Sequence, residues 1–421
     1  MPHHTLSHEG SERRPSADDG KQKITSAQEA DKTTHAMKKI GLLPLIIIAI
    51  VLGVIAGNVF NETLVRVFVT FNGIFSQFLG FMIPLIIIGL VTPAITGIGS
   101  GAGKMLLATV AIAYADTVVA GLIGYGTGEL FFPDMIAATK GFTAEKAVEL
   151  APFFEVKIPP MLDVMAALVL SFIMGLGIIY SYAATLNNIF DEFEDIISLV
   201  IAKVIIPLLP LYIFGIFTSM TYTGQAYHIL LVFAQIILVI VVLHVFILVY
   251  EFVIAGATAK KNPFRLLWRM LPAYLTALGT SSSAATIPVT LSRTIGNGVS
   301  KQVAGFTVPL CATIHMPGSM MKITCCALTV CLMNGMPHDF PLFLQFMLLL
   351  AVCMVAGLGV PGGAIMAALG PLASVLGFNA DMQALMIALY IAMDSFGTAC
   401  NVTGDGAVAI VIDRMFGKKR A

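Results

Sequence analysis

The chain has 421 residues, of which 57% are hydrophobic and only 11% are charged, and its mean hydropathy is +0.91. Soluble domains carry about 25% charged residues, so this composition excludes a water-soluble protein and indicates a membrane protein. Lysine plus arginine equals aspartate plus glutamate at 24 each, which gives no basis for nucleic-acid binding.

Residues 1–36 are polar and contain almost no large apolar side chain. Such a segment cannot bury enough surface to offset the entropy lost on ordering, so we expect a disordered cytoplasmic tail. It lacks the charged and then apolar pattern of a cleavable signal peptide, and Met37 is a candidate internal start.

Six apolar stretches follow, and a membrane-spanning helix needs about 20 such residues. We predict helices at about 40–60, 63–97, 104–131, 159–184, 187–222 and 226–257. The second exceeds a perpendicular span and is expected to tilt or to kink near Pro84. Residues 133–158 are mixed in character and are expected to form an external loop.

Beyond residue 257 the pattern changes. The stretches 264–292 and 340–378 are apolar, yet small and helix-breaking residues interrupt them at 279–288 and 356–363. Backbone freed at membrane depth must be buried in protein or line a cavity. Each stretch is therefore predicted to form a re-entrant hairpin of two half-helices.

A long helix follows each predicted hairpin. The helix at 301–334 is expected to break at residues 315–318, and the helix at 382–415 to be interrupted by the polar run 401–405. Hairpin, helix, hairpin, helix is an internal repeat, and paired interruptions of this kind indicate the binding site of a transporter.

Lysine and arginine predict the orientation, because they are enriched on the cytoplasmic side of membrane proteins. If eight helices span and both hairpins return to their own side, most of these residues fall on one side. The residues on that side are Lys38, Lys39, Lys104, Lys260, Lys261, Arg265, Arg269, Arg293, Lys301, Arg414, Lys418, Lys419 and Arg420. We predict a multi-pass protein of the cell membrane with both termini in the cytoplasm.

Three motifs resemble the glutamate-transporter superfamily of dicarboxylate/amino-acid:cation symporters. They are the serine tip at 281–288, the break at 309–318 and the run at 401–405, in the superfamily's order. Their details are most similar to the serine/threonine branch. The resemblance implies an all-α fold with eight transmembrane helices and two re-entrant hairpins. It also implies a homotrimer with its scaffold in residues 37–257, and a transport core in residues 258–421 that moves like an elevator.

The resemblance also implies where sodium ions bind. From the residues alone, Asp405 is a carboxylate in an otherwise apolar helix, which is costly unless the group is paired or binds a cation. Pairing with a donor on a neighbouring helix is the alternative. The implied ligands are Asn401 and Asp405 with carbonyls of Cys311 and His315, and, for a second ion, carbonyls near Thr313 and residues 354–357.

One departure from the superfamily concerns a third sodium ion. Pro317 stands where an aspartate helps to hold that ion, while Asp116 and Thr117 fall at its hydroxyl ligands. We predict that Asp116 moves the lost carboxylate to the opposite wall of the site. Alternatively, Asp116 pairs with His315 or Lys322, or packs in its neutral form. An imidazole beside an acid would also allow proton coupling.

For the substrate, the resemblance places the main carboxylate on Ser281, Ser282 and Ser283 and the amino group at Asp394. Gly397 stands where an arginine binds a side-chain carboxylate, so an anionic side chain lacks its bidentate partner and glycine opens room instead. A neutral amino acid of the serine/threonine kind is favoured. Further predicted substrate contacts are Ser319, Lys322, Val360, Pro361, Gly362, Thr398 and Asn401.

Lys322 leaves an alternative open, because a buried ammonium group is costly without a purpose. It can contact a substrate carboxylate, which would restore an acidic amino acid or a dicarboxylate as the ligand. It can instead pair with Asp394 or Asp116, or extend its charged end to the membrane surface.

Two other function classes compete with a symporter. Ser283, His315 and Asp394 could be drawn as the triad of an intramembrane hydrolase, but flexible hydroxyls and exposed amides at a hairpin tip suit anion binding better. A passive channel is the other rival. We therefore expect a transporter and not an enzyme. His244 and Glu251, seven residues apart, are expected to pair across helices or to reach the membrane interface.

Overall fold

The computed structural model describes residues 42–98, 104–138, 150–224, 226–355 and 362–417, and no strand occurs within these ranges. The predicted all-α class is confirmed for them. The helices are α1 (Leu42–Val59), α2 (Glu62–Ile98), α3 (Lys104–Ala138), α4 (Val164–Ser181), α5 (Ala184–Val200), α6 (Ile206–Tyr222), α7 (Ala226–Ala259), α8 (Pro263–Thr280), α9 (Ser283–Gly296), α10 (Lys301–Ile314), α11 (Pro317–Asn334), α12 (Phe340–Val355), α13 (Gly363–Ser374), α14 (Ala380–Ala392) and α15 (Asp394–Phe416).

Several helices are long and apolar enough to cross a bilayer. Within the described ranges, six candidate spans meet both criteria of length and composition, and α2 and α3 reach 37 and 35 residues. At about 1.5 Å per residue, helices of that length exceed a hydrocarbon core of about 30 Å. The six spans are Glu62–Pro93, Lys104–Ala137, Ala184–Tyr222, Ile229–Ala259, Lys301–Asn334 and Asp394–Phe416.

The predicted boundaries of the first external loop are wrong at one end. Pro133 lies inside α3, which continues to Ala138, so the helix extends past residue 133, where the loop was predicted to begin. The following helix begins at Val164, because the side chain of Asp163 accepts a hydrogen bond from the backbone N–H of Ala166 and so caps its first turn. The helix predicted at 187–222 is α5 and α6, joined by the π-helical turn Ile201–Ile205.

Both interrupted apolar stretches form pairs of half-helices. In the first, α8 ends at Thr280, Ser281 adopts a left-handed conformation with φ of 50°, and Ser282 caps α9. In the second, α12 and α13 contact each other on either side of residues 356–361, which lie outside the described residues. The predicted interruption of the first stretch is therefore present. In the second stretch, Gly362 has a left-handed φ of 78° just before α13, and the predicted residues before it lie outside the described ranges.

Both long C-terminal helices are broken, but only the first break lies where the sequence predicted it. The first breaks as predicted, because α10 ends at Ile314 and His315 is extended before α11 begins at Pro317. The second interruption was predicted at residues 401–405 but lies at Met393. Residues 401–405 remain helical, and the side chains of Asn401 and Asp405 bond to Gly318 and His315 instead of competing for the helix's own backbone.

The C-terminal helices form the interior that surrounds the polar residues. Helix α15 packs against α7, α8, α10 and α11, and α11 packs along α3. Residues 317–331 of α11 are all buried. Polar side chains on these two helices therefore meet each other rather than water or lipid.

We expect Gly57→Ala to destabilise the contact between α1 and α6. An added Cβ would lie 2.5 Å from Cβ of Thr221 and 2.6 Å from the carbonyl oxygen of Thr218, so the two helices would have to separate. The expected loss is about 1–3 kcal/mol, measurable as a lower thermal unfolding temperature in detergent. Gly126→Ala is the matched control, because nothing lies within 4 Å of its added Cβ. Equal unfolding temperatures for the two variants would contradict this packing.

Candidate functional site

A buried ion pair joins α11 to the start of α15. The ammonium group of Lys322 lies 3.3 Å from Oδ1 of Asp394 and 3.5 Å from the centre of the Tyr390 ring. The break at Met393 makes Asp394 the first residue of α15, where free backbone N–H groups favour a carboxylate. Its other oxygen accepts a hydrogen bond of 2.9 Å from the N–H of Gly362 in the second hairpin. Among the alternatives for Lys322, the contacts show the pairing with Asp394.

The expectation that Gly397 opens empty room is wrong. A Cβ at this position would lie 2.7 Å from Nζ and 2.9 Å from Cε of Lys322, so the lysine side chain fills the space. The lysine reaches it from α11, which packs against α15. The ammonium group thus lies where a side chain of residue 397 would begin.

The serine tip lies beside the same ion pair. The hydroxyl of Ser281 shares a hydrogen bond of 2.7 Å with the hydroxyl of Ser395, which follows Asp394. Ser283 is buried at the first residue of α9, and Ser282 caps that helix. The tip of the first hairpin, Gly362 at the start of α13 and the first turn of α15 therefore lie together.

Asn401 holds α11 in place from α15. Its Oδ1 accepts hydrogen bonds from the N–H groups of Gly318 at 2.9 Å and Ser319 at 3.4 Å, and its Nδ2 donates to the Ser319 hydroxyl at 3.2 Å. The first turn of α11 has no side-chain cap at Met316, so Asn401 supplies it from another helix. The Ser319 hydroxyl also shares a hydrogen bond of 3.1 Å with Tyr390.

Of the remaining predicted substrate residues, one lies on α15 and two lie outside the described residues. Thr398 is buried on α15, directly after Gly397. Val360 and Pro361 lie outside the described residues, as do residues 356 and 357 of the carbonyl run predicted at 354–357.

The second group of polar residues centres on His315, in the break between α10 and α11. Its Nδ1 lies 3.0 Å from Oδ1 of Asp405 on α15, and its Nε2 lies 3.0 Å from Oδ2 of Asp116 on α3. Ionised carboxylates only accept hydrogen bonds. Both bonds therefore exist together only if the imidazole is protonated on both nitrogens or a carboxyl group carries a proton. The pairing of Asp116 with His315, one of the structural alternatives, is present.

The other predicted cation ligands divide between the two groups. Thr117 is next to the imidazole, because its hydroxyl accepts a hydrogen bond of 3.2 Å from the N–H of Met316. The carbonyl of Cys311 accepts from the N–H of His315, and the Thr313 hydroxyl donates to the carbonyl three residues before it. The side-chain oxygen of Asn401 instead bonds to the backbone of α11.

Glu251 on α7 was expected to have only a structural role, in pairing across helices or reaching the membrane interface. It offers a carboxylate oxygen that lies within 4.8 Å of ligand atoms of Asp116 and His315. Its side chain is buried, and within the described part of the chain neither oxygen has a hydrogen-bonding partner. His244, grouped with it in the sequence, instead bonds to the carbonyl of Gly318 at 3.0 Å. The available signal was an acid within a span of high hydropathy, which marks a functional candidate.

We call Asp116, Glu251, His315 and Asp405 the His315 cluster. It contains three carboxyl groups and one imidazole. Lys322, the buried lysine of the described chain, bonds to Asp394 instead. The cluster therefore has more acidic groups than basic groups to neutralise them. A site of this composition favours the binding of a cation. The rival hydrolase triad is not assembled, because both nitrogens of His315 face Asp116 and Asp405.

A comparison with protein families identifies the kind of protein to which these features belong. The model of the sodium:dicarboxylate symporter family matches residues 42–415. The match spans both hairpins, both broken helices, the ion pair and the His315 cluster. A transporter that couples its cargo to sodium agrees with buried polar groups at helix breaks.

Asn401→Ala should destabilise the protein even without substrate or sodium. The change leaves the N–H groups of Gly318 and Ser319 without their acceptor in a buried position, which costs about 1–3 kcal/mol. Thermal unfolding of the purified chain in detergent measures the loss. Asn334→Ala is the control, because that exposed asparagine only bonds back to its own helix. The capping role is wrong if the two variants unfold at the same temperature.

Proposed function

Because the chain belongs to the sodium:dicarboxylate symporter family, we propose that it is a secondary active symporter that imports a small neutral amino acid with sodium. It is a multi-pass membrane transporter. The Lys322–Asp394 ion pair is the observation that carries the choice of substrate.

The ion pair presents one positive and one negative group with no net charge. A zwitterionic amino acid brings the same two charges, so its ammonium group can bind Asp394 while its carboxylate binds Lys322. The pocket then gains no net charge, which matters because uncompensated charge is costly in a dry interior. The hydroxyls of Ser281 and Ser395 lie beside the pair and can orient the carboxylate or a side-chain hydroxyl.

A second candidate is an acidic amino acid or a dicarboxylate. The position of the Lys322 ammonium favours it, because that group fills the space beside Gly397 where the superfamily carries an arginine. A lysine from α11 would then replace an arginine from α15. This candidate brings additional negative charge to a lysine that Asp394 already neutralises, and for that reason we rank it second.

For the coupling ion, we propose that Asp405 and Asp116 take part in a sodium site around His315. Asp116 would supply the carboxylate that Pro317 has removed from the broken helix. Its side chain lies on α3 and reaches the imidazole from the side opposite Asp405. A second sodium site near Thr313 and the second hairpin remains part of the proposal.

The proposed topology has eight spanning helices and both termini in the cytoplasm. It requires α1 and α4, each of 18 residues, to cross the bilayer in addition to the six longer spans. Both helices expose large apolar side chains, among them Val51 and Ile173. Lipid or the other subunits of a homotrimer would cover such faces, and an elevator-like movement of residues 258–421 would carry the cargo.

Uptake by proteoliposomes tests the function. We expect an imposed inward sodium gradient to drive accumulation of labelled serine or threonine, with aspartate and succinate as weak competitors. Replacing sodium by choline should abolish the uptake. Accumulation of only aspartate or succinate would move the substrate to the second candidate, and equal uptake without a sodium gradient would refute the symporter.

Substitutions of the ion pair test its role in binding. Lys322→Met leaves Asp394 as an unpaired buried charge, so we expect uptake to be lost and stability to fall by about 3–5 kcal/mol. The double variant Lys322→Met with Asp394→Asn removes both charges, and it should recover stability without recovering uptake. Thermal unfolding and serine uptake are measured in parallel.

Lys203→Met is the control for these variants, because that lysine is exposed in the π-helical turn. If the double variant transports serine as well as Lys203→Met does, the ion pair has no part in substrate binding.

A further inference from the structure

We propose that Glu251 is a ligand of the coupling sodium ion, which it binds together with Asp116 in the His315 cluster. This inference rests on the proposed sodium symport and adds α7 to the helices that hold the ion. Neither the sequence motifs nor the family match assigns this residue a role.

The environment of Glu251 indicates a missing partner. The side chain is 5% exposed, and within the described ranges neither carboxylate oxygen has a hydrogen-bonding partner. Buried polar groups in proteins are nearly always satisfied, so each exception requires an explanation. The carboxylate is directed at Asp116 and His315, whose ligand atoms lie within 4.8 Å of its own. A cation between them would satisfy the free oxygens.

Helix α15 leaves space for this carboxylate. A Cβ at Gly404 would collide with Oε2 of Glu251 and would lie 2.9 Å from Cε1 of His315. Glycine at this position therefore lets an acid from α7 and the imidazole approach the backbone of α15 together. The next residue is Asp405, so the space opens beside the other carboxylate of the cluster.

The available atoms favour a hard cation with oxygen ligands. Both nitrogens of His315 face carboxylate oxygens, so the ring has no free lone pair for a transition metal. Within the described ranges the two oxygens of Glu251 have no hydrogen-bonding partner, and Asp116 has a second oxygen besides the one that bonds to His315. Carboxylate oxygens are the ligands that hard cations prefer. Sodium is the hard cation that the family couples to transport.

The charges agree with this assignment. With the imidazole protonated and all three acids ionised, the cluster carries a net negative charge, and the Lys322 ammonium is engaged by Asp394. A bound sodium ion lowers this excess in a part of the protein where counterions from water are excluded. The ion would connect α7 and α3 directly, and α15 through the hydrogen bond between His315 and Asp405.

The test is equilibrium binding of radioactive sodium to the purified full-length chain, combined with uptake in proteoliposomes. Glu251→Gln should lose a sodium ion per chain, or raise the sodium concentration for half-maximal uptake about 10- to 100-fold, as expected when a metal site loses a supporting group. Glu129→Gln is the control, because that acid pairs with His338 near the exposed end of α3 and should bind sodium as the unmodified chain does.

A second variant keeps the test valid if Glu251→Gln fails to fold. Gly404→Ala retains Glu251 but displaces its carboxylate, so it should weaken sodium binding in the same direction. Unchanged sodium binding in both variants would overturn the inference, including the case in which Glu251 merely carries a proton. Failure of sodium to drive uptake in the unmodified chain would instead refute the proposed function.

Discussion

The hydrogen bonds from His315 to Asp116 and Asp405 are the interaction on which the rest of the site depends. They join the break between α10 and α11 to α3 on one side and to α15 on the other. Charged groups are costly in an interior without water unless a partner is close. The break is what makes this possible, because an extended residue at position 315 can direct both ring nitrogens sideways. A continuous helix would place the imidazole on one face only.

The proposed substrate contacts and the proposed ion ligands share α11 and α15. Gly318, at the start of α11, donates its N–H to Asn401 and accepts from His244, so it is held from α15 and α7 at once. A Cβ at Gly318 would lie 2.7 Å from Cβ of Cys400, so only glycine allows α11 and α15 to approach this closely. One short helix segment thus connects His315 to Ser319 and Lys322. The proposed ion site and the proposed substrate site have this segment in common.

Much of this architecture could be predicted from sequence because its signals are local. Glycine, proline and serine runs within apolar stretches indicated both hairpins and the break at His315. Rare acids in apolar helices indicated Asp116 and Asp405, and the resemblance to the symporter superfamily indicated Asp394. The match of residues 42–415 to the symporter family confirms the class of protein that these signals indicated.

The predictions that were wrong concern features that depend on contacts between helices, which the sequence alone does not specify. Met393 carries no sequence signal for a break, whereas the polar run at 401–405 does. The run nevertheless stays helical, and its Asn401 and Asp405 side chains bond to α11 and to His315. The space at Gly397 was expected to be empty because nothing in the sequence places Lys322 beside it. Glu251 was assigned only a structural role for the same reason, since its position beside His315 depends on α3 and α15 and not on α7 alone.

The central claim is that buried acids around His315 bind the coupling cation. Anomalous diffraction from crystals of the full-length protein soaked in thallium(I), a heavy monovalent cation, tests it most directly. The account predicts a peak in contact with the carboxylates of Glu251 and Asp116. Crystals that show thallium bound elsewhere in the protein, with no peak beside those two carboxylates, would contradict it.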